Sequence, residues 1–188
     1  ILIGDIRSLP LLEAFHAAVQ LQQSPGSLAT DQLAQRIRHR VAQDEELVID
    51  PGLFHEFKRR QPKVGRIEIQ IKRGRHRNEM TQFRYDAVLH MGPQTAPVDC
   101  AWLDWNKQDL TVATMGKILQ ETKPDLLAVG GIPNARVMEE VTALRLIGQK
   151  KRPTNVEQLK LAVRQENVGA IEPEDIWEVA NSRGYDAE

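Results

Sequence analysis

The densest group of side chains able to do chemistry is the run KRGRHRNE, from Lys72 to Glu79. Its arginines Arg73, Arg75 and Arg77 carry guanidinium groups, which suit two-point contact with phosphate or carboxylate oxygens. The run therefore predicts either a solvated turn or a contact with a partner. We treat these three arginines as candidate residues for docking another domain.

Nucleic-acid binding is the less favoured use of this basic run. Acidic and basic residues nearly cancel over the 188 residues, and the formal net charge is -1. No aromatic residue alternates with the arginines, although surfaces that bind single strands stack bases on aromatic side chains. We therefore expect no nucleic-acid partner.

Five further polar residues are candidates for lining a substrate pocket. Asn78 and Glu79 lie where the chain folds back after the basic run, and simple turn chemistry is an equally open role for them. A short apolar strand, Ile1–Ile3, is predicted to end in a turn at Gly4 and Asp5. Ligands of open α/β sheets bind beyond the carboxyl ends of strands, where Asp5 and Arg7 would lie. Asp5 as a helix cap and His16 as a packed residue remain the alternatives.

Motifs of established chemistry are incomplete in this sequence. The turn at Val129–Gly131 lacks the glycine spacings of dinucleotide and P-loop sites, and neither G-x-S-x-G nor H-E-x-x-H occurs. Cys100 is the only cysteine, so an intrachain disulfide and a cysteine-based zinc cluster are excluded. We name no catalytic residue and expect no metal.

The element that must position the basic run is a hairpin from Arg66 to Met91. Its first arm alternates apolar and polar residues, and so does its second arm, which is the period of a strand with one buried face. The residues predicted on the buried faces are Ile67, Ile69, Ile71, Phe83, Tyr85, Ala87 and Leu89. A hairpin alone is marginally stable in water, so the rest of the chain must cover it.

Helices supply most of that cover. The apolar spacing predicts helices over Leu11–Gln22, from Thr30, after Asp50 and Pro51, from Thr111, through Val137 and Leu144, after a capping box of Thr154 and Glu157, and from Glu172 and Pro173. Short strands are predicted over Cys100–Trp105 and Leu126–Val129. This alternating order indicates a small α/β addition or an insertion in the main sheet. We divide the chain into 1–97 and 98–188.

The surroundings of the protein are predicted from what the sequence lacks. No apolar run approaches the roughly 20 residues that a membrane helix needs, and no signal peptide is evident. We expect a cytoplasmic protein without a membrane partner.

Ile1–Ile3 begin inside a typical buried strand, and residues 185–188 end where a strand would begin, so we expect a piece of a larger protein.

Several long blocks also carry a resemblance to a known family. They are GDIRSLPLLEAFHAAVQL (Gly4–Leu21), ELVIDPGLF (Glu46–Phe54), IEIQIKRGRHRNEMTQFRYDAVLH (Ile67–His90), WLDW (Trp102–Trp105) and IPNARV (Ile132–Val137). The blocks occur in the family's order, and the resemblance extends over nearly the whole chain. Together they resemble the C-terminal part of the S-adenosylmethionine-dependent methyltransferase domains embedded in bacterial nonribosomal peptide synthetases, usually inside an adenylation domain.

The resemblance implies a fold and a function. The fold is α/β: part of a Rossmann-like methyltransferase sheet that ends in an antiparallel hairpin, plus a small α/β or helical C-terminal addition. Such domains transfer a methyl group from S-adenosylmethionine to an aminoacyl or peptidyl thioester held on phosphopantetheine, more often at nitrogen than at carbon. The implied partners are the adenylation and peptidyl carrier domains of the same synthetase.

The resemblance also implies what this sequence lacks. The family's glycine-rich cofactor turn and its ribose-binding acidic residue would precede Ile1, so we expect the chain to be inactive alone. Asp5, Arg7, His16, Asn78 and Glu79 are then candidates for the acceptor side of the cleft. The alternative is a non-catalytic interaction module that docks a carrier or adenylation domain through the basic run.

Overall fold

The computed structural model of this protein describes residues 1–93, 100, 102–166 and 169–187. Its strands are β1 Leu2–Ser8, β2 Val48–Ile49, β3 Val64–Ile71, β4 Arg84–Met91, β5 Trp102–Asp104 and β6 Ala128–Gly130. Its helices are α1 Leu12–Gln23, α2 Thr30–Ala42, α3 Gly52–Arg60, α4 Glu79–Phe83, α5 Val112–Thr122, α6 Met138–Ile147, α7 Val156–Glu166 and α8 Pro173–Ser182. The α/β class predicted from the sequence is therefore confirmed.

The main sheet is mixed and has the strand order β2-β1-β4-β3. β4 lies between β1 and β3 and is antiparallel to both, so β1 and β3 run in the same direction. β2 pairs with β1 in parallel only at Arg7 and Ser8. The predicted antiparallel hairpin is confirmed, with Ile69 opposite Ala87. Its connection is more than a turn, because it contains the short helix α4.

The two arms of the hairpin are covered to different extents. All four residues predicted on the buried face of the second arm are buried, and Ala87 is completely so. Ile67 and Ile69 are half-buried, whereas Ile71 is 39% exposed. Ile67 and Ile69 pack against the buried cluster of the main sheet, so the predicted apolar face is confirmed for these two residues and wrong for Ile71, at the end of β3.

β1 is longer than predicted, because the expected turn at Gly4 and Asp5 is a bulge within the strand. The pairing of β1 with β4 shifts register between Ile3 and Ile6 and then continues. Asp5 lies at the bulge with a φ of 59°, a left-handed backbone conformation that residues other than glycine seldom adopt. The bulge moves the carboxyl end of the strand from Asp5 to Arg7 and Ser8.

The C-terminal part contains a separate parallel sheet of β5 and β6, joined by α5. The sequence allowed either a small α/β addition or an insertion in the main sheet, and the pairing of β5 with β6 alone favours the addition. The predicted strand over Cys100–Trp105 includes Ala101, which lies outside the described residues. The predicted capping box of Thr154 and Glu157 is wrong, since Asn155 Oδ1 instead accepts the hydrogen bond from the Gln158 N–H.

A buried helical cluster joins the two parts of the chain. It combines residues of α1 and α2 with residues of α6 and α7, and its members are Ala17, Leu33, Ile37, Ala143, Leu146, Val156, Leu159 and Val163. A second cluster lies under the main sheet around Phe54, Tyr85 and Leu89. The division that we placed between residues 97 and 98 lies outside the described residues.

Two negative observations concern the described residues alone. Every helix found there is too short or too polar to span a lipid bilayer. Within the same residues, no three His, Cys, Asp or Glu side chains are arranged to hold a metal ion.

Candidate functional site

Six charged or titratable side chains meet at the carboxyl end of β1, and we call them the charge cluster. They come from β1, α1, the segment before β2, α4 and the start of β4, and they are Arg7, His16, Asp44, Glu46, Glu79 and Arg84. The carboxyl edge of a parallel strand pair is where open α/β sheets bind ligands. The cluster therefore lies where the fold favours a site.

Arg7 is the centre of the charge cluster and is only 7% exposed. Its guanidinium nitrogens lie 2.8 Å from Asp44 Oδ2, 2.5 Å from Glu46 Oε2 and 3.2 Å from Glu79 Oε1. The guanidinium also lies over the ring of Phe15, 4.4 Å from the ring centroid. A buried arginine with three carboxylate partners is held rigidly, and it fixes those carboxylates in turn.

Arg84 forms the second arginine of the cluster, nearer its exposed rim. Its guanidinium lies 2.6 Å from Glu79 Oε1 and 2.7 Å from Glu46 Oε1. The side chains of Glu46 and Glu79 remain 38% and 41% exposed. Two carboxylates are thus held by arginines on the protein side while part of each faces solvent.

The electrostatic surroundings keep the Glu79 and Asp44 carboxylates charged. Hydrogen bonds from Arg84 and then Arg7 lower the pKa of Glu79 from its ordinary value, against the opposing effect of burial. Burial alone would raise the pKa of Asp44. Hydrogen bonds from the Glu46 N–H and from His16, together with the charge of Arg7, outweigh burial and lower that pKa.

A lysine bridge lies beside the charge cluster and involves the bulge in β1. Lys72 Nζ lies 2.5 Å from Asp5 Oδ1 and 2.6 Å from Asp86 Oδ1. Asp86 Oδ1 also accepts the backbone N–H of Asp5, at 2.8 Å. The Arg84 guanidinium donates to the Asp5 carbonyl at 3.0 Å, which ties the bridge to the charge cluster.

This arrangement is better suited to binding a positive group than to removing a proton. A carboxylate with a lowered pKa is a weak base, because general bases work best when their pKa is near the working pH. Fixed carboxylates do stabilise positive charge that develops on a neighbouring atom. The exposed rim formed by Glu46 and Glu79 can therefore hold an amine and stabilise its cationic product.

The structure brings some sequence-predicted candidates together and gives others a structural role. Arg7, His16 and Glu79 meet in the charge cluster. His16 lies inside it, 9% exposed, with Nε2 2.8 Å from Asp44 Oδ2. Asn78 caps α4, and its Oδ1 accepts the Thr81 N–H at 3.1 Å. A pocket-lining role for Asn78 stays a prediction.

The three candidate docking arginines have partners within this chain. Arg73 makes two hydrogen bonds to Glu174 and lies 4.2 Å from the ring centroid of Trp177. Arg75 pairs with the acidic face of α8 at Asp175 and Glu178, and Arg77 pairs more loosely with Glu139 of α6. Docking by these arginines stays a prediction, and a partner would have to compete with these contacts.

Sequence reasoning missed the partners that complete the charge cluster. Asp44 and Glu46 belong to an acidic run immediately before β2, and that position was the available signal. Arg84 was assigned only to the outer face of the hairpin. Arg136, in the block IPNARV, gave no signal of its own, and its contacts emerge only from the tertiary structure.

An apolar groove of 620 Å³ lies at the other end of β1. Ile1 and Ile3 line it together with Leu53 and Phe57 of α3 and Met91 at the end of β4. These side chains are substantially exposed, between 39% and 67%. The groove is thus far along the strand from the charge cluster and separate from it.

Comparison with known proteins gives a consistent result. The chain is 40% identical over 148 residues to chondramide synthase CmdD of Chondromyces crocatus, which covers 76% of the chain and 4% of that protein. It is 30% identical over 186 residues to CymA of Salinispora arenicola, a probable non-canonical nonribosomal peptide synthetase, covering 99% of the chain and 2% of the relative. No protein-family model matches the chain.

A eukaryotic relative shows the same pattern at lower identity. Cyclosporin synthetase SimA of Tolypocladium inflatum is 24% identical over 201 residues, and the match covers the whole chain but 1% of that protein. The chain thus spans only a few per cent of the length of the relatives that it matches. These relatives are nonribosomal peptide synthetases, and this chain belongs to that family as a segment of such a synthetase.

Proposed function

We propose that this chain is the C-terminal part of a methyltransferase domain in a nonribosomal peptide synthetase. The observation that carries the proposal is the sheet, in which β4 is inserted antiparallel between two strands that run in the same direction. The methyltransferase sheet expected from the resemblance ends in such an antiparallel pair. The synthetase relatives supply the context in which this sheet would work.

The free part of β1 fits the same proposal. β2 covers only Arg7 and Ser8, so Leu2–Ile6 has no partner strand on that side among the described residues. Ile1 and Ile3, which line the apolar groove, are 67% and 39% exposed. An unpaired strand edge and an apolar face are unstable in water, and earlier strands of a parallel sheet would cover both.

The residues of this chain would form the acceptor side of the cleft. S-adenosylmethionine, when bound by the rest of the domain, would supply an electrophilic methyl group. The carboxylates of Glu46 and Glu79 would orient the acceptor amine and stabilise the positive charge that develops on its nitrogen. Arg7 and Arg84 would hold those carboxylates in place.

The charge of the rim favours nitrogen over carbon as the acceptor. Methylation of an amine builds positive charge on the nitrogen, which the carboxylates stabilise. Methylation at carbon passes through an enolate, and fixed carboxylates would repel that negative charge. The substrate class is therefore an aminoacyl or peptidyl thioester with a free amino group, carried on the phosphopantetheine arm of a carrier domain and activated by an adenylation domain.

Cofactor binding tests the proposal most directly. S-adenosylmethionine is titrated by calorimetry into residues 1–188 and into a longer polypeptide that includes the preceding part of the parent synthetase. We expect saturable binding to the longer polypeptide and none to the shorter one. Tight binding to residues 1–188 alone would contradict the proposal.

Transfer of a labelled methyl group to an aminoacyl carrier domain tests the acceptor side. In the parent synthetase, Glu79→Gln removes the charge and keeps the shape, so we expect kcat to fall by about 100-fold. Glu121→Gln, at an exposed position of α5, is the matched control, and we expect it to leave kcat unchanged. An unaltered kcat in Glu79→Gln would remove this carboxylate from the mechanism.

A further inference from the structure

Arg136 is the most deeply buried cation whose contacts the structure describes, and its side chain is 1% exposed. It lies just before α6, in the C-terminal part of the chain. Its Nε donates to Glu172 Oε1 at 2.6 Å, and the guanidinium lies 5.9 Å from the ring centroid of Trp177. A buried charge of this kind is tolerated only when its polar groups are paired.

The other contacts of Arg136 reach the segment that follows β3. Its two terminal nitrogens donate to the carbonyl oxygens of Lys72 at 2.5 Å and of Gly74 at 2.7 Å. Its own backbone carbonyl accepts from Gln82 Nε2, at 2.6 Å, in α4. One residue therefore holds both the start of the segment from Lys72 to Asn78 and the helix that follows this segment.

The segment held by Arg136 leads directly into the charge cluster. At its start, the Lys72 side chain bridges Asp5 and Asp86. At its end, Asn78 caps α4, whose first residue is Glu79. Any movement of the segment would therefore shift both the lysine bridge and the Glu79 carboxylate.

Polar tethers are the main restraint on this segment. Residues 73–78 are exposed, so they bury little apolar surface that could fix them. Gly74 has a φ of 106°, and its N–H donates to Glu174 Oε1. The segment thus keeps its shape through the C-terminal part, by way of Arg136 and Glu174.

We propose that Arg136 is a positioning residue for the acceptor side of the cleft. It fixes the segment from Lys72 to Asn78 so that Glu79 is presented at a constant position to the amine. The C-terminal part then takes part in methyl transfer without touching the substrate. This inference rests on the proposed function.

An arginine is specifically suited to this role. Its planar fork contacts two carbonyl oxygens and one carboxylate at the same time. A lysine at the same position would keep the charge and could pair with Glu172, but its single ammonium group cannot reach all three acceptors in the same geometry. Arg136→Lys therefore separates burial of a charge from fixation of the segment.

The test uses the parent synthetase with its aminoacyl carrier domain. Arg136→Lys is compared with Arg145→Lys, an exposed arginine of α6 that pairs with Glu166. We expect Arg136→Lys to lower kcat by about 10- to 100-fold, while the Kd for S-adenosylmethionine changes by less than about 2-fold. We expect Arg145→Lys to match the wild type in both measurements.

Hydrogen exchange gives a readout that is independent of activity. In Arg136→Lys the backbone amides of residues 73–79 should exchange at least about 10-fold faster, while those of β4 stay protected. Wild-type exchange in this segment together with wild-type kcat would overturn the proposal. The proposal would also be overturned if Arg136→Lys lost protection equally throughout the domain and the second variant described next kept wild-type kcat and wild-type exchange.

That second variant is Gln82→Met, which removes only the contact to the Arg136 carbonyl and leaves the buried guanidinium intact. We expect a smaller fall in kcat, about 3-fold, with faster exchange confined to the same segment and α4. If Gln82→Met leaves both kcat and amide exchange unchanged, Arg136 has a purely structural role. A wild-type synthetase that transfers no methyl group would refute the proposed function, whereas the exchange result would still decide whether Arg136 holds the segment.

Discussion

Two charged regions of this molecule use the same kinds of residue in opposite surroundings. In the charge cluster, the side chains of Arg7 and Asp44 are each 8% exposed. In the contact between the basic run and α8, the side chain of Arg75 is 51% exposed and its partner Glu178 is 65% exposed. Both regions are rich in short ion pairs, yet water competes far less for the pair at the centre of the charge cluster.

The comparison shows that the effect of an ion pair on stability and on local geometry depends more on its burial than on the number of pairs around it. An exposed pair adds little to stability, since water and salt screen it. A buried pair adds little over an apolar core either, but the loss of one partner leaves an uncompensated charge and is costly. The charge cluster is thus built for fixed geometry, and the outer pairs of the basic run tolerate exchange of partners.

The largest expected effect comes from breaking the charge cluster at its centre. Arg7→Met should lower the free energy of unfolding by about 3 to 5 kcal/mol, because Asp44 and its neighbouring carboxylates lose their buried partner. Urea denaturation of the chain measures this difference. Arg36→Met, on the exposed side of α2, is the control and should stay within about 0.5 kcal/mol of the wild type. Equal free energies of unfolding for the two variants would contradict the expected cost of leaving these carboxylates without their buried partner.

An intermediate effect on stability is expected at Glu174, because its side chain is 11% exposed while that of its partner Arg73 is 58% exposed. Hydrogen bonds from Arg73 and the Gly74 N–H, together with the charges of Arg73 and Arg136, lower the pKa of Glu174 from 4.5 to about 2. The stability that this carboxylate contributes is therefore complete above its unfolded pKa of 4.5 and is lost as the pH falls toward about 2.

Glu174→Gln should cost about 1 to 3 kcal/mol near neutral pH. The difference from the wild type should shrink as the pH is lowered through the window between these two pKa values, as measured by urea denaturation at several pH values. Glu121→Gln, at an exposed position of α5, serves as the control and should show no such dependence. A difference that is constant with pH would contradict the assigned charge state.

The smallest expected effect comes from the outer pairs of the basic run. Arg75→Ala should lower the free energy of unfolding least of the three variants, since its partners Asp175 and Glu178 return to water without penalty. Added salt should abolish even this difference, which thermal unfolding with and without salt can detect. A loss as large as that expected for Arg7→Met would remove the distinction between the two regions.

The fold was largely predictable wherever one face of an element is buried. The alternation of Tyr85, Ala87 and Leu89 predicted β4 and its buried face correctly, whereas Phe83 is buried at the end of α4. Helical spacing predicted α2 from Thr30, and the structure begins that helix at the same residue. These patterns are local, so neighbouring residues alone specify them.

The prediction was wrong where a local pattern admits two structures. Gly4 and Asp5 are typical of a turn, but pairing with β4 keeps the strand continuous and converts the turn into a bulge. Ile71 has the period of a buried strand, but it lies at the end of β3 and is 39% exposed. In both cases the tertiary structure decided the outcome.

The candidate site was predictable only in part. Arg7, His16 and Glu79 were identified as candidates because of their residue types and their places at the ends of elements. Their partners Asp44 and Arg84 were not, since the sequence spacing does not show which distant residues pair; the acidic run before β2 was the one available signal for Asp44.

The sequence alone determined which residues alternate, which segments start and stop as helices, and which large group of synthetases the chain resembles. The tertiary structure alone decided which charges meet. Residues 7, 44 and 79 are far apart along the chain and come together only when β1 pairs with β4 and the helices pack beside them. Periodicity follows from the geometry of one backbone segment, whereas a buried ion pair depends on the cooperative packing of several.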